Sequence, residues 1–182
     1  MSSNTRLSGI LASCRIIILA IVALCAAPCF ADEYGTIEPM GAAIFPDLAY
    51  KDEQNQPHLL KNDLGKLTIV HFWATWCGPC IDELPEVDKV QKKYASQGLK
   101  VISISEDGEN RIKTVKDFFA RSDITALSAY LDIGTAAFRK TEARGLPTSY
   151  FLNSAGLKIA IAEGPIDWKS PVAEKFITSH LK

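Results

Sequence analysis

Two cysteines two residues apart, in Trp76-Cys77-Gly78-Pro79-Cys80, stand directly behind an apolar, β-prone run, Leu67-Thr68-Ile69-Val70-His71-Phe72-Trp73, and open a stretch of helical character. A run this continuously hydrophobic is what a strand buried on both faces requires. The chain is therefore held to a strand–turn–helix unit with both cysteines at the junction. A cysteine at a helix N-terminus meets unpaired backbone N–H groups and the positive end of the dipole, both of which favour the thiolate. The second cysteine, one turn further in, is placed to attack a mixed disulfide on the first and expel a bound partner. The junction suits dithiol–disulfide exchange.

Downstream the chain alternates. Gly78 to about Ser96 reads as helix, with Pro85 kinking its middle and Gly98 ending it. Leu99–Ser105 reads as a strand and Glu109–Arg121 as an amphipathic helix, with Ile112, Val115, Phe118 and Phe119 at helical spacing. Leu127–Leu131 then predicts a short strand and Gly134–Ala143 a short helix. Thr148–Asn153 and Leu157–Ala162 form a hairpin about Ser154-Ala155-Gly156, and Trp168–Leu181 closes the chain as a helix. Upstream, Phe45–Lys66 is turn-rich and predicts a small N-terminal β-hairpin or two edge strands. Residues 32–44 lack periodicity and read as a tether. Early alternation followed by a late hairpin gives an α/β fold with a mixed central sheet and helices on both faces.

The segment Phe72-Trp73-Ala74-Thr75-Trp76-Cys77-Gly78-Pro79-Cys80 resembles the active-site signature of the thioredoxin superfamily, and Gly145-Leu146-Pro147-Thr148 resembles that fold's cis-proline loop. The Ala74-Thr75 pair, Glu83-Leu84-Pro85, and the long stretch between Ser105 and Gly145 are more similar to the extracytoplasmic TlpA/ResA branch. The resemblance runs from about Phe45 to the C-terminus. It implies a thioredoxin-like domain over 45–182 with a central insertion.

Residues 1–31 hold Arg6 and Arg15 and no acid, and Ile16–Ala27 is an unbroken apolar run, short for a membrane-spanning helix. Pro28 breaks it, and Cys29-Phe30-Ala31 offers a cleavage point before Asp32. This pattern predicts a secretory signal peptide and a periplasmic protein; the competing reading is an uncleaved N-terminal membrane anchor. Cys25 follows Leu24 and Cys29 follows Pro28, where lipid attachment needs a small residue. Cys14, Cys25 and Cys29 would leave with the leader, so the exported domain keeps only its CxxC pair and has no structural disulfide framework. Removing the leader's two arginines from the 20 basic residues leaves 18 against 21 acidic ones, which argues against nucleic acid or an anionic membrane surface as a general partner.

The resemblance implies roles for individual residues. Cys77 is the attacking nucleophile and Cys80 the more buried, resolving thiol. Gly78 and Pro79 tune the pair. From its place before the pair Trp76 is either an apolar shoulder to the site or ordinary core packing, and Trp73 and Phe72, on the strand, read as core. By the resemblance the loop of Leu146, Pro147 and Thr148 lies beside the cysteines and pairs through its backbone with an extended client segment; a surface turn is the alternative. Glu83 matches the acidic residue near the active site of ResA-like proteins, where a carboxylate disfavours a nearby thiolate; a solvated helix face is the bland alternative. His71 stands where thioredoxin has a buried aspartate. It either relays the proton leaving Cys80 or is a neutral, hydrogen-bonded core histidine. His58 and His180 carry no argument.

Three histidines and no second cysteine pair in the exported part do not furnish a structural zinc site, and the spacing does not fit a Sco-like copper site, so no metal or cofactor is expected. The function that follows is a thiol–disulfide oxidoreductase reducing client proteins, and the resemblance implies that a membrane electron donor of the DsbD or CcdA type recharges it. By resemblance the clients are apocytochrome c or copper-centre assembly proteins. The alternatives are a disulfide-forming oxidant and a copper chaperone that uses the same two thiolates.

Overall fold

The computed structural model describes residues 34–182. The signal-peptide or anchor reading of residues 1–31 lies outside them. Among the described residues no helix is long and apolar enough to cross a membrane.

Eight strands form one sheet: β1 (Glu38–Ala43), β2 (Ala49–Lys51), β3 (Pro57–Leu59), β4 (Leu67–Trp73), β5 (Leu99–Ser105), β6 (Tyr130–Asp132), β7 (Thr148–Asn153) and β8 (Lys158–Glu163), in the order β1-β8-β7-β4-β5-β6-β2-β3. β4, β5 and β6 run parallel and the other pairings are antiparallel, so the sheet is mixed. Among the described residues the α-helices are α1 (Gly78–Tyr94), α2 (Ile112–Arg121), α3 (Ala136–Lys140) and α4 (Pro171–Ser179). The predicted N-terminal hairpin is β2–β3, and the central insertion folds as α2–β6–α3, with β6 seated parallel to β5.

Every residue of β4 is buried, as its hydrophobicity demands. Alternation assigns its side chains to two cores. Leu67, Ile69 and Trp73 face a large cluster with Cys77, Cys80, Leu84 and Val87 of the cysteine-bearing segment, Val115 and Phe119 of α2, and Ile177 of α4. Val70 and Phe72 face a smaller one with Leu48, Tyr150, Leu152 and Ala137 of α3. His71 has the parity of the first group and so points under α1. α1 runs on past Pro85, its inward face carrying Cys80, Glu83, Leu84 and Val87.

Three expectations change. Residues 38–43 are not tether but an edge strand pairing with β8. Its side chains are nearly all exposed and it contains Pro39 and Gly41, so main-chain hydrogen bonds hold it and no hydrophobic alternation marks it. Before it, Gly35 bridges to Ile166, its N–H donating to the Pro165 carbonyl at 2.6 Å. The short strand begins at Tyr130, not Leu127. The buried Asp88 of α1 accepts the N–H groups of Thr125, Ala126 and Leu127 on one oxygen and holds that stretch as a turn. Finally, α4 starts at Pro171 behind Ser170, whose hydroxyl caps Ala173 N–H, which leaves Trp168 outside the helix.

Candidate active site

The parallel strands β4 and β5 end side by side at Trp73 and Ser105. Just past those ends the chain makes the loop Ala74–Cys77 and enters α1. Asp107 clamps this loop. It accepts Thr75 N–H at 2.9 Å and the Thr75 hydroxyl, and takes the Ser105 hydroxyl at 2.6 Å. Glu106 N–H donates to the Trp73 carbonyl at 2.8 Å.

Cys77 is the N-cap of α1, with extended backbone, and its carbonyl accepts Ile81 N–H. Its sulfur is bonded to that of Cys80, with the two Cα atoms 5.3 Å apart. Cys77 is 8 % exposed and Cys80 is fully buried, so of the two residues only Cys77 is open to solvent. Gly78 and Pro79 lie exposed over the pair. Trp76 is 68 % exposed, a large apolar surface beside Cys77, whereas Trp73 and Phe72 are entirely core.

β7 runs antiparallel to β4 with Phe72 opposite Thr148. The preceding Pro147 therefore comes level with the end of β4, where the cysteine loop begins. The Leu146–Pro147 peptide is cis, and the Pro147 carbonyl accepts Gly164 N–H at 2.9 Å. Leu146 is partly exposed and rests on both cores. Thr148 is buried, and its hydroxyl donates to the Gly145 carbonyl at 2.7 Å; its side chain shapes the loop and does not face outward.

Beneath the cysteines, one turn after Cys80 on the same face of α1, Glu83 is buried and not solvated. Its Oε2 accepts two donors at 3.0 Å each, Ile166 N–H and the Trp168 indole N–H. Its Oε1 lies 3.7 Å from His71 Nε2. Burial pushes the Glu83 carboxyl up to about 7 against the pull of its two donors. His71 is fully buried, which drives it down to about 3 and keeps the ring neutral. Its Nδ1 is 2.8 Å from Ser149 Oγ, Nε2 has no hydrogen-bond partner, and the ring meets Trp168 edge-on.

Cys77, Cys80, Glu83 and His71 thus lie on one side of the sheet, with Trp76, Gly78 and Pro79 above them and the Leu146–Thr148 loop alongside. Sequence reasoning missed Asp107, Ser149, Trp168 and Glu106. Asp107 was findable, since residues just beyond the C-terminal ends of neighbouring parallel strands converge. Trp168 was hidden by the helix drawn over it, although Ser170-Pro171 is a helix-start signal. Ser149 is opposite His71 only through register. Glu106, near Asp132, is pushed up to about 8, chiefly by burial. Among the described residues no cluster of His, Cys, Asp and Glu is arranged to hold a metal ion.

The chain is similar to the thiol-disulfide oxidoreductase ResA of Bacillus cereus, 32% identical over 111 residues that cover 61% of this chain and 62% of the relative. It is also 32% identical over 113 residues to the thioredoxin-like protein YneN of Bacillus subtilis, covering 62% and 65% of the two chains. The matches thus span a little under two thirds of these relatives' length. In structure it resembles a thiol:disulfide interchange protein of the thioredoxin family from Chlorobium tepidum, with a TM-score of 0.64, 23% identity, and 79% of this chain and 99% of that one covered. The fold is thioredoxin-like. The AhpC/TSA family model matches residues 42–157, a span running from the end of β1 through both cysteines and the cis-proline loop to the turn after β7, and the chain belongs to that family.

Proposed function

We propose that this protein is a periplasmic thiol–disulfide oxidoreductase that reduces disulfides in client proteins. The observation that carries the reading is the Cys77–Cys80 pair at the N-terminus of α1, the first residue slightly exposed and the second fully buried. In the reduced protein the Cys77 thiolate attacks one sulfur of a client disulfide, and the other client sulfur leaves as a thiolate and is protonated. Cys80, on losing its proton, attacks Cys77 Sγ, the client's second sulfur departs, and the Cys77–Cys80 disulfide remains. Two electrons have passed to the client. Trp76, Gly78, Pro79 and Leu146 offer the contact surface, and Pro147 with its loop aligns the client strand. The buried pair His71 and Glu83 takes up the proton that Cys80 gives up.

Export by a leader within residues 1–31 belongs to the same proposal, since an oxidising compartment is where a client needs such a reductant. There the protein must be recharged, and a membrane donor of the DsbD or CcdA type fits. The clients are of the kind handled in cytochrome c and copper-centre assembly.

The test is the reduction potential of the pair, equilibrated against a dithiol buffer. A value below about −220 mV, on the reducing side of the glutaredoxin range, is expected; one near about −120 mV, as in DsbA, would reverse the direction of electron flow.

A further inference from the structure

We infer that Ser149, His71 and Glu83 form a tautomer switch, in which the Ser149 hydroxyl is the positioning residue that lets the buried imidazole follow the proton on Glu83. The switch stands on the geometry of the folded protein. Its use in dithiol exchange rests on the reading of Cys77 and Cys80 given above.

The three side chains are brought together by register. His71 and Ser149 are direct partners across β4 and β7, so both project to the same face, and Oγ comes within 2.8 Å of Nδ1. On the other side of His71 its partner across β5 is Ser103, whose hydroxyl is committed to the Ser128 carbonyl at 3.1 Å. From α1, Glu83 presents Oε1 to Nε2 at 3.7 Å, a few tenths beyond hydrogen-bond reach. Its other oxygen is occupied by two N–H donors. An acid proton on that oxygen would point into those donors, so a protonated Glu83 carries its proton on Oε1, toward the imidazole.

The ring has one proton and two nitrogens, and it stays neutral because nothing solvates a buried imidazolium. When Glu83 is an acid, its O–H is matched by a lone pair on Nε2; the ring proton is then on Nδ1 and donates to Ser149 Oγ. When Glu83 is a carboxylate, the matching group is Nε2–H; Nδ1 is then a lone pair and accepts the Ser149 hydroxyl. The pair holds two protons in the first state and one in the second, so one proton is exchanged in all. A hydroxyl both accepts and donates and therefore satisfies Nδ1 in either state. A methyl group does neither.

The groups facing the pair from each packed element are few. α1 contributes Cys80 and Cys77, joined in the disulfide, and its charged Asp82 and Glu86 lie outward. The segment after β8 contributes Ile166 N–H and Trp168, with Asp167 and Lys169 exposed. β5 and β7 contribute only the two serines beside His71. Burial sets the direction of both titrations, and no charged neighbour contributes to either.

The experiment is nitrogen NMR of the imidazoles in the ¹⁵N-labelled, oxidised full-length protein as pH is taken through about 7, the value to which Glu83 is pushed. The two ring nitrogens of a neutral histidine differ widely in shift according to which carries the proton. His71 is expected to exchange tautomer across that range without becoming imidazolium. Ser149→Ala should lose the exchange and hold Nε2–H throughout, because a buried Nδ1–H would have no acceptor, whereas Ser149→Thr should restore it. Glu83→Gln should make the tautomer independent of pH. A wild-type ring that keeps one tautomer throughout, or a Ser149→Ala protein that exchanges as the wild type does, would overturn the switch. Failure of the reduced protein to reduce a disulfide, with the exchange intact, would instead count against the proposed activity.

Discussion

His71 and Glu83 are displaced from their ordinary values in opposite directions, and each leaves its own mark on stability. Glu83 moves from 4.5 up to about 7, so between those values the native state holds a proton that the unfolded chain has released. Stability from this group is therefore lost as pH rises through the window. His71 moves from 6.5 down to about 3, so there the unfolded chain holds the extra proton, and stability is lost as pH falls. Glu83→Gln should gain on the wild type as pH rises from 4.5 to about 7 and keep that gain above it. His71→Asn should gain on the wild type as pH falls from 6.5 toward about 3. Urea midpoints for the three proteins across this range check both limbs. A wild-type-minus-variant difference that does not change with pH would mean that the side chain is solvated in the folded protein. The candidate residues were legible because cysteine chemistry is local: a helix N-terminus and a two-residue spacer suffice to name Cys77 and Cys80. The environment of Glu83 was not. The resemblance placed it near the active site, with a solvated helix face as the alternative, and only the fold supplies its burial and Ile166 N–H and the Trp168 indole as donors.

Elements were legible in proportion to how much side-chain burial shapes them. β4, β5 and β7 match their expected bounds because hydrophobic runs mark strands that are covered by neighbours. β1 escaped for the opposite reason: its pairing with β8 is a main-chain matter. The start of β6 escaped because a side chain from elsewhere decides it. Asp88, on the buried face of α1, accepts three consecutive N–H groups at 3.1, 2.7 and 3.0 Å. Asp88→Ala would leave those donors without their acceptor in a site that is 4 % exposed. The expected loss is about 3 kcal/mol, the order for charge-assisted hydrogen bonds at a buried group. It should be read as a lower urea midpoint at unchanged slope, together with faster amide exchange at residues 125–127. A loss below about 0.5 kcal/mol, the level of an ordinary surface substitution, would show that the turn holds without Asp88.

Across the whole molecule, the early alternation and late hairpin carried the mixed sheet correctly, since a crossover helix makes its two strands parallel and a tight turn makes them antiparallel. The order in which distant pieces line the sheet, with β2 and β3 beyond β6, was not legible, because those pairings are set by tertiary contacts and have no local signature. The sheet as a whole also bears on the direction of electron flow. Folding and oxidation form a thermodynamic cycle: whichever redox form the fold stabilises more is the form the folded pair prefers relative to the unfolded pair, at about 1.4 kcal/mol for each 30 mV. Two features compete. The N-terminus of α1 favours a Cys77 thiolate and so the reduced protein. Against it, Cys80 is fully buried in the apolar cluster with Trp73, Leu84 and Trp168, where a disulfide sulfur needs no partner and an ionised thiol is penalised. If the second effect wins, as a reductant requires, the oxidised protein unfolds at a higher urea concentration than the protein held reduced by a dithiol. DsbA, whose reduced form is the stabilised one, behaves in the opposite way. A reduced form with the higher midpoint would make this chain an oxidant and transfer its place to the forming of client disulfides.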